Sequence, residues 1–97
     1  MTARPVWHPA AADEFVRAVA WYEQQRPGLG SEFAAACRSA LALIRDQPHA
    51  FRRVHGDVRR VMLRRFPCAI FYRSRDAELL VIAVMHERRD PRLWRER

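Results

Sequence analysis

Four arginines and one histidine in the C-terminal half have the types and spacing to do chemistry. They are Arg60, Arg73, Arg88, Arg89 and His86. Arg73 closes an aromatic, β-branched run (Cys68-Ala69-Ile70-Phe71-Tyr72-Arg73), and an apolar run ends in His86-Glu87-Arg88-Arg89-Asp90. Guanidinium forks hold phosphoryl oxygens in bidentate geometry, and an imidazole moves a proton near neutral pH. Together they are what a phosphodiester site requires, because charge developing on the phosphoryl oxygens must be met by fixed donors. If the two runs are adjacent strands of a meander, the end of the second approaches Arg73. Arg73, His86, Arg88 and Arg89 are then expected on one concave surface. The plainer alternative is that strand-end arginines are solvated, or paired with Glu87 and Asp90.

Other chemistries find little support. His8, His49 and His55 are scattered without metal-ligand spacing and are expected in surface or capping roles. Cys37 and Cys68 lie too far apart for a zinc or CxxC motif and read as buried free thiols. No phosphate-loop, dinucleotide, nucleophile-elbow or zinc-protease signature occurs, so no cofactor and no metal are expected.

Charge divides the chain. All 18 basic residues are arginine. Residues 1–51 balance five of them (Arg4, Arg17, Arg26, Arg38, Arg45) against five acids, whereas residues 52–97 carry the whole net charge of +7. Codon bias accounts for the missing lysine but not for this imbalance, which implies an acidic or polyanionic partner for one half. The longest apolar run, residues 79–85, is far short of the ~20 residues that span a bilayer. Without a basic region followed by an apolar stretch at the N-terminus, a cytoplasmic location is expected, with no membrane contact.

The elements that must position these residues follow from local signals. Val6 and Trp7, ahead of Pro9, favour a short strand. Pro9 suits a first helical turn, and Phe15, Val19 and Tyr22 form a stripe at i, i+4 and i+7, extended by Ala12 and Val16. Pro27-Gly28 ends that helix at about Gln25, and Gly30-Ser31 opens a second one with the stripe Phe33, Cys37, Leu41 and Ile44. A connection of about four residues makes the pair an antiparallel hairpin over about 10–47, ended by Pro48. Strands are expected over 58–63, 68–74 and 78–85, with turns at Gly56-Asp57, Phe66-Pro67 and 75–77. Alternation sets Arg60 with Met62 on one face, and Arg59 with Val61 and Leu63 on the other. Residues 78–85 are apolar on both faces, as a central strand covered on two sides is. The expected fold is α+β, in the order β-α-α-β-β-β. It is a single domain over 1–97, with a helical hairpin on a small antiparallel sheet over about 52–87 and a tail over 88–97. Trp94 in that tail is either a lid folded on the core or an exposed contact.

These pieces resemble a known superfamily. Trp21-Tyr22-Glu23-Gln24-Gln25-Arg26-Pro27-Gly28-Leu29-Gly30 with Phe33 resembles the inter-helix signature of ParE-type toxins. Arg64-Arg65-Phe66-Pro67, Ile70-Phe71-Tyr72-Arg73 and Val84-Met85-His86-Glu87-Arg88-Arg89-Asp90-Pro91 with Trp94 are similar to the C-terminal half of the RelE/ParE superfamily. The resemblance implies a toxin of a type II toxin–antitoxin pair, neutralised by a cognate acidic antitoxin that wraps it, with Trp21, Tyr22 and Phe33 as antitoxin contacts. For the ParE-like branch it implies DNA gyrase as the target and no catalysis. Arg60, Arg64, Arg73, Arg88, Arg89 and Trp94 are then the target- or nucleic-acid-binding residues. The alternative is a RelE-like endoribonuclease acting on mRNA in the ribosome, with Arg73, His86 and Arg88 catalytic. Glu87 stands near the place of an expected basic residue, and Trp94, lacking a hydroxyl, cannot act as general acid or base. Both departures favour the ParE-like branch.

Overall fold

The computed structural model describes residues 4–97; the first three residues of the expected domain lie outside it. Its elements are β1 (Pro5–Trp7), α1 (Pro9–Gln25), α2 (Leu29–Asp46), β2 (Arg53–His55), β3 (Val58–Met62), β4 (Cys68–Arg75), β5 (Glu78–His86) and a short 3-10 turn, Pro91–Leu93. This is the expected α+β arrangement of a helical hairpin against a sheet. Two details differ. The sheet is mixed, in the order β1-β5-β4-β3-β2, because β1 joins β5 in parallel. It also has five strands, since residues 53–55 fold back on β3 ahead of the Gly56-Asp57 turn.

The hairpin is built by local chemistry. Pro9 opens α1, and His8 caps it by accepting from the Ala10 amide through Nδ1 at 3.1 Å. Gly28 takes the left-handed conformation (φ 89°) that turns the chain, and α2 begins at Leu29, one residue ahead of Gly30. The Glu23 carboxylate reaches across this turn to accept from the amides of Gly28 (3.0 Å) and Gly30 (3.0 Å). It thereby satisfies amides at the start of α2 that have no intrahelical partner, at the helix's positive end. Gly30 must lack a side chain, because a Cβ there would sit 2.7 Å from the Val19 carbonyl oxygen.

The main core lies between the helices and the sheet. Ala11, Phe33, Cys37, Ala40 and Ile44 from the helices meet Val61, Leu63, Ile70, Tyr72, Leu79, Val81 and Val84. Phe15, Val19 and Tyr22 pack against it, but Ala12 and Val16 do not extend that stripe; both are exposed, and Ala11 and Ala18 face inward instead. Tyr72 donates to the Pro48 carbonyl at 2.7 Å and pins the exit of α2 to the sheet. Cys37 and Cys68 are free and buried, as read from the sequence. Burial foremost, and then the neighbouring Cys68, push the Cys37 thiol up to about 12, so it stays protonated and unreactive.

A second apolar cluster covers the opposite face: Val58, Ala69, Phe71, Ile82, Ala83, Met85 and Trp94. An irregularity opposite Phe71 and Tyr72 leaves Ile82 without a Cα partner on β4, which lets β5 feed both cores. Asp76 (φ 49°) and Ala77 (φ 63°) make the β4–β5 turn with two consecutive left-handed residues, the pattern of a tight hairpin that matches strand twist. Among the described residues no helix is long and apolar enough to cross a membrane.

Candidate functional site

Strand register decides which chemical groups meet. Arg73 lies opposite Leu80, near the turn between β4 and β5, whereas His86 lies opposite Cys68 at the other end of the same pair. Leu80 and His86 are six residue steps apart along β5, roughly 20 Å. The expected convergence of Arg73 with His86, Arg88 and Arg89 is therefore corrected. Arg73 is also occupied: its Nε donates to Asp57 Oδ1 at 2.9 Å and its Nη1 to the Arg97 carbonyl at 2.7 Å. Arg75 takes the other Asp57 oxygen at 2.7 Å. Partial burial pushes the Asp57 carboxyl upward, but hydrogen bonds and charge from Arg75 and Arg73 outweigh it and hold the carboxyl below its usual range. Arg73 is a tie between the β2–β3 turn and the tail. His86 is exposed, and its Nδ1 accepts from the Arg88 amide at 3.0 Å, so those two residues meet only through the local turn.

A different basic cluster does assemble. Arg60 on β3, Arg89 after β5 and Arg95 in the tail line an open recess of about 210 Å³ with His55, Glu87 and Pro91. Phe71 and Trp94 form its floor, their rings 4.7 Å apart, and the His55 ring lies 6.2 Å from that of Trp94. Each floor ring is only 3% exposed. Trp94 is thus a lid on the second core, and its expectation as a contact residue is corrected: 97% of its surface is already spent on Phe71 and its neighbours. Arg97 holds the tail in place. Its guanidinium pairs with Glu14 at 2.9 Å and donates to the Ile82 carbonyl at 3.0 Å, while Glu14 accepts from the Val84 amide at 3.0 Å. These side chains occupy the edge of β5 beyond the three residues that β1 covers.

His55 and Arg95 were missed in the sequence. The Gly56-Asp57 turn, which brings His55 alongside Val58, was a usable signal for the first. Arg95 had none, because its place follows from where Trp94 docks.

Arg64 lies elsewhere. With Arg65 and Glu32 it flanks an apolar groove of about 300 Å³ between α2 (Ala35, Ala36, Ser39, Leu43) and β3 (Val61, Met62). Leu43 is 56% exposed and Met62 38%. On the helical hairpin, Trp21 is 56% exposed, and Tyr22 is half-buried with its hydroxyl 3.7 Å from Cys68 Sγ. Burial first, then Cys68, push the Tyr22 phenol up to about 12. Phe33 is fully buried, stacked on Tyr22 and edge-on to Phe66, so its expectation as an antitoxin contact is corrected; it is the centre of the core.

Comparison with known proteins agrees with this architecture. The family described as "ParE toxin of type II toxin-antitoxin system, parDE" matches residues 6–91. The chain is similar to a structure described as a chromosomal ParDE toxin–antitoxin system from P. aeruginosa, with TM-score 0.75 and 16% identity, covering 88% of this chain and 96% of that one. It is also similar to a chain of the toxin–antitoxin complex RelBE2 from Mycobacterium tuberculosis, with TM-score 0.57 and 16% identity, covering 90% of this chain and 100% of that one. At such identities the two structures speak for the fold. No curated protein matches the sequence.

Proposed function

The chain belongs to the ParE toxin family of type II toxin–antitoxin systems, and from that premise we propose that it arrests growth by inhibiting DNA gyrase without catalysing a reaction. The observation that carries the non-catalytic reading is the strand register. It holds Arg73 at one end of β4 and β5 and His86 at the other, and it binds Arg73 to Asp57. Proton transfer needs its groups within hydrogen-bond reach of one substrate atom, and this set is not.

The target-contact surface is the basic face beyond the helices, where Arg60, Arg88 and Arg89 are accessible; Arg73 and Trp94 contribute by holding the tail. The groove between α2 and β3 is the seat of a cognate antitoxin. An amphipathic segment sets apolar side chains against Leu43 and Met62 and its carboxylates beside Arg64 and Arg65. Trp21 extends that surface on the helical hairpin.

Two measurements test this reading. Purified toxin is expected to inhibit gyrase supercoiling, and to stop inhibiting when its antitoxin is added. Supercoiling unaffected by a large toxin excess overturns the gyrase assignment. Cleaved transcripts after induction overturn the non-catalytic one in favour of ribosome-dependent mRNA cleavage.

A further inference from the structure

We infer that the recess framed by Arg60, Arg89 and Arg95 is a phosphodiester-binding site that takes a backbone phosphate of a nucleic-acid strand. This goes beyond the gyrase reading and stands whether or not gyrase is the target.

The first ground is the distribution of acceptors. In this half of the chain, Arg73 and Arg75 share Asp57, Arg92 holds Asp90, and Arg97 holds Glu14. Arg59 is spent on the carbonyls of His49 and Phe51. Among the described residues no ion pair or side-chain hydrogen bond takes Arg60, Arg89 or Arg95, although Glu87 lines the same recess. Like charges held around one space repel each other until an anion enters.

The second ground is how firmly they are placed. Arg60 sits mid-strand opposite Phe71. Arg95 adjoins the buried Trp94 and donates its amide to the Pro91 carbonyl at 3.0 Å. Arg89 closes the turn after β5, donating its amide to the His86 carbonyl at 3.0 Å. Three separate elements therefore hold the backbone at each arginine, so that an entering anion has only the side chains themselves to order.

Size and polarity complete the argument. About 210 Å³ lies below the ~300 Å³ at which pockets for whole small molecules begin, which suits one phosphate with part of its sugar. The exposed His55 ring adds a donor at the rim. The buried floor of Phe71 and Trp94 keeps water from one side and strengthens the charged contacts. Because both rings are 3% exposed and tilted by 31° against each other, no aromatic face is free to stack a base. Recognition is of the backbone and blind to sequence.

The test is fluorescence anisotropy of the purified full chain with labelled single-stranded DNA, single-stranded RNA and duplex DNA of one length, across a salt series. Arg60→Gln and Arg95→Gln remove recess charges, and Arg38→Gln removes one from exposed α2 surface. Each recess variant is expected to weaken binding roughly tenfold, as loss of a hydrogen bond to a charged group does. It should also flatten the salt dependence by about 0.7 per phosphate on single strands. Arg38→Gln is expected to change binding less than about twofold, since one distant charge is largely screened. Tighter binding of RNA, or of duplex DNA, identifies which nucleic acid supplies the phosphate. Equal losses in all three variants overturn the site in favour of diffuse attraction, as does failure of the unaltered chain to bind any strand at low salt. Arg60→Lys, which keeps the charge and loses the fork, is expected to fall between the parent and Arg60→Gln. Unchanged circular dichroism shows that the effects are local.

Discussion

Replacing Glu14 by Gln and Arg97 by Met, singly and together, isolates the ion pair that fastens the tail to the edge of β5. Both side chains are mostly buried, at 22% and 16% exposed, and lie 2.9 Å apart. Each also serves a strand group, Glu14 accepting from the Val84 amide and Arg97 donating to the Ile82 carbonyl. Breaking a fully buried pair costs about 3–5 kcal/mol, because the surviving charge is left uncompensated. Exposed pairs contribute about 0–1 kcal/mol. Partial burial places Arg97→Met at roughly 2–3 kcal/mol. Glu14→Gln keeps an acceptor for the Val84 amide and should cost less, about 1–2 kcal/mol. The double variant should recover part of the loss, with a coupling energy of about 1–2 kcal/mol, since neither charge is then stranded. In a domain of this size each kcal/mol moves the melting temperature by about 4–8 °C, so Arg97→Met is expected to melt roughly 10–20 °C lower. The cycle is read by urea denaturation, with limited trypsin digestion reporting release of the tail at Arg92 and Arg95. Coupling below about 0.3 kcal/mol, with both single variants melting like the parent, refutes the argument that this pair holds the tail.

Trp94→Ala removes the lid on the second core and is expected to cost about 3–4 kcal/mol, whereas Trp94→Phe keeps most of the contact with Phe71; a loss under about 1 kcal/mol by chemical denaturation contradicts the docked tail. Ala77→Gly relieves a left-handed residue with a Cβ (φ 63°), and should raise stability by about 0.5–1 kcal/mol after the greater chain entropy of glycine is set against it. Asp57 gives a pH signature. Its folded-state pKa lies below its ordinary value, so the stability it contributes is present above the unfolded value of about 3.9 and is lost as pH falls through the lower folded one. Melting temperature followed from pH 5 to pH 2 should fall more steeply in the parent than in Asp57→Asn, and identical slopes remove the Asp57 clasp as the cause.

The sequence by itself determined the parts whose physics is local. Pro9, Pro27-Gly28 and Pro48 bound two helices because a ring without an amide proton and a residue free at positive φ punctuate a chain wherever they stand. The stripe Phe33, Cys37 and Ile44 named the buried face of α2, and strand alternation put Arg59 and Arg60 on opposite faces, because both periods come from backbone geometry alone. A strand apolar on both sides announced that β5 is covered twice. Smaller misreadings, such as Val16 on the stripe of α1, came from alanines on both sides that left the position of its apolar face open.

Only the tertiary structure decided which residues face one another. Register between β4 and β5 is fixed by turn geometry and by side chains distant in sequence. In the observed register Arg73 stands beside the β4–β5 turn and His86 opposite Cys68, roughly 20 Å away, so no small slip of the strands would join them into one catalytic cluster. The tail carries no periodicity; Trp94 docks because Phe71 and Ile82 leave an uncovered apolar face, and that docking brings Arg95 to Arg60 and Arg97 to Glu14. Charge could be counted by halves from the residues alone. Which guanidiniums are spent on carboxylates and which stay open to a partner depends on distances of about 3 Å between groups as many as 83 residues apart.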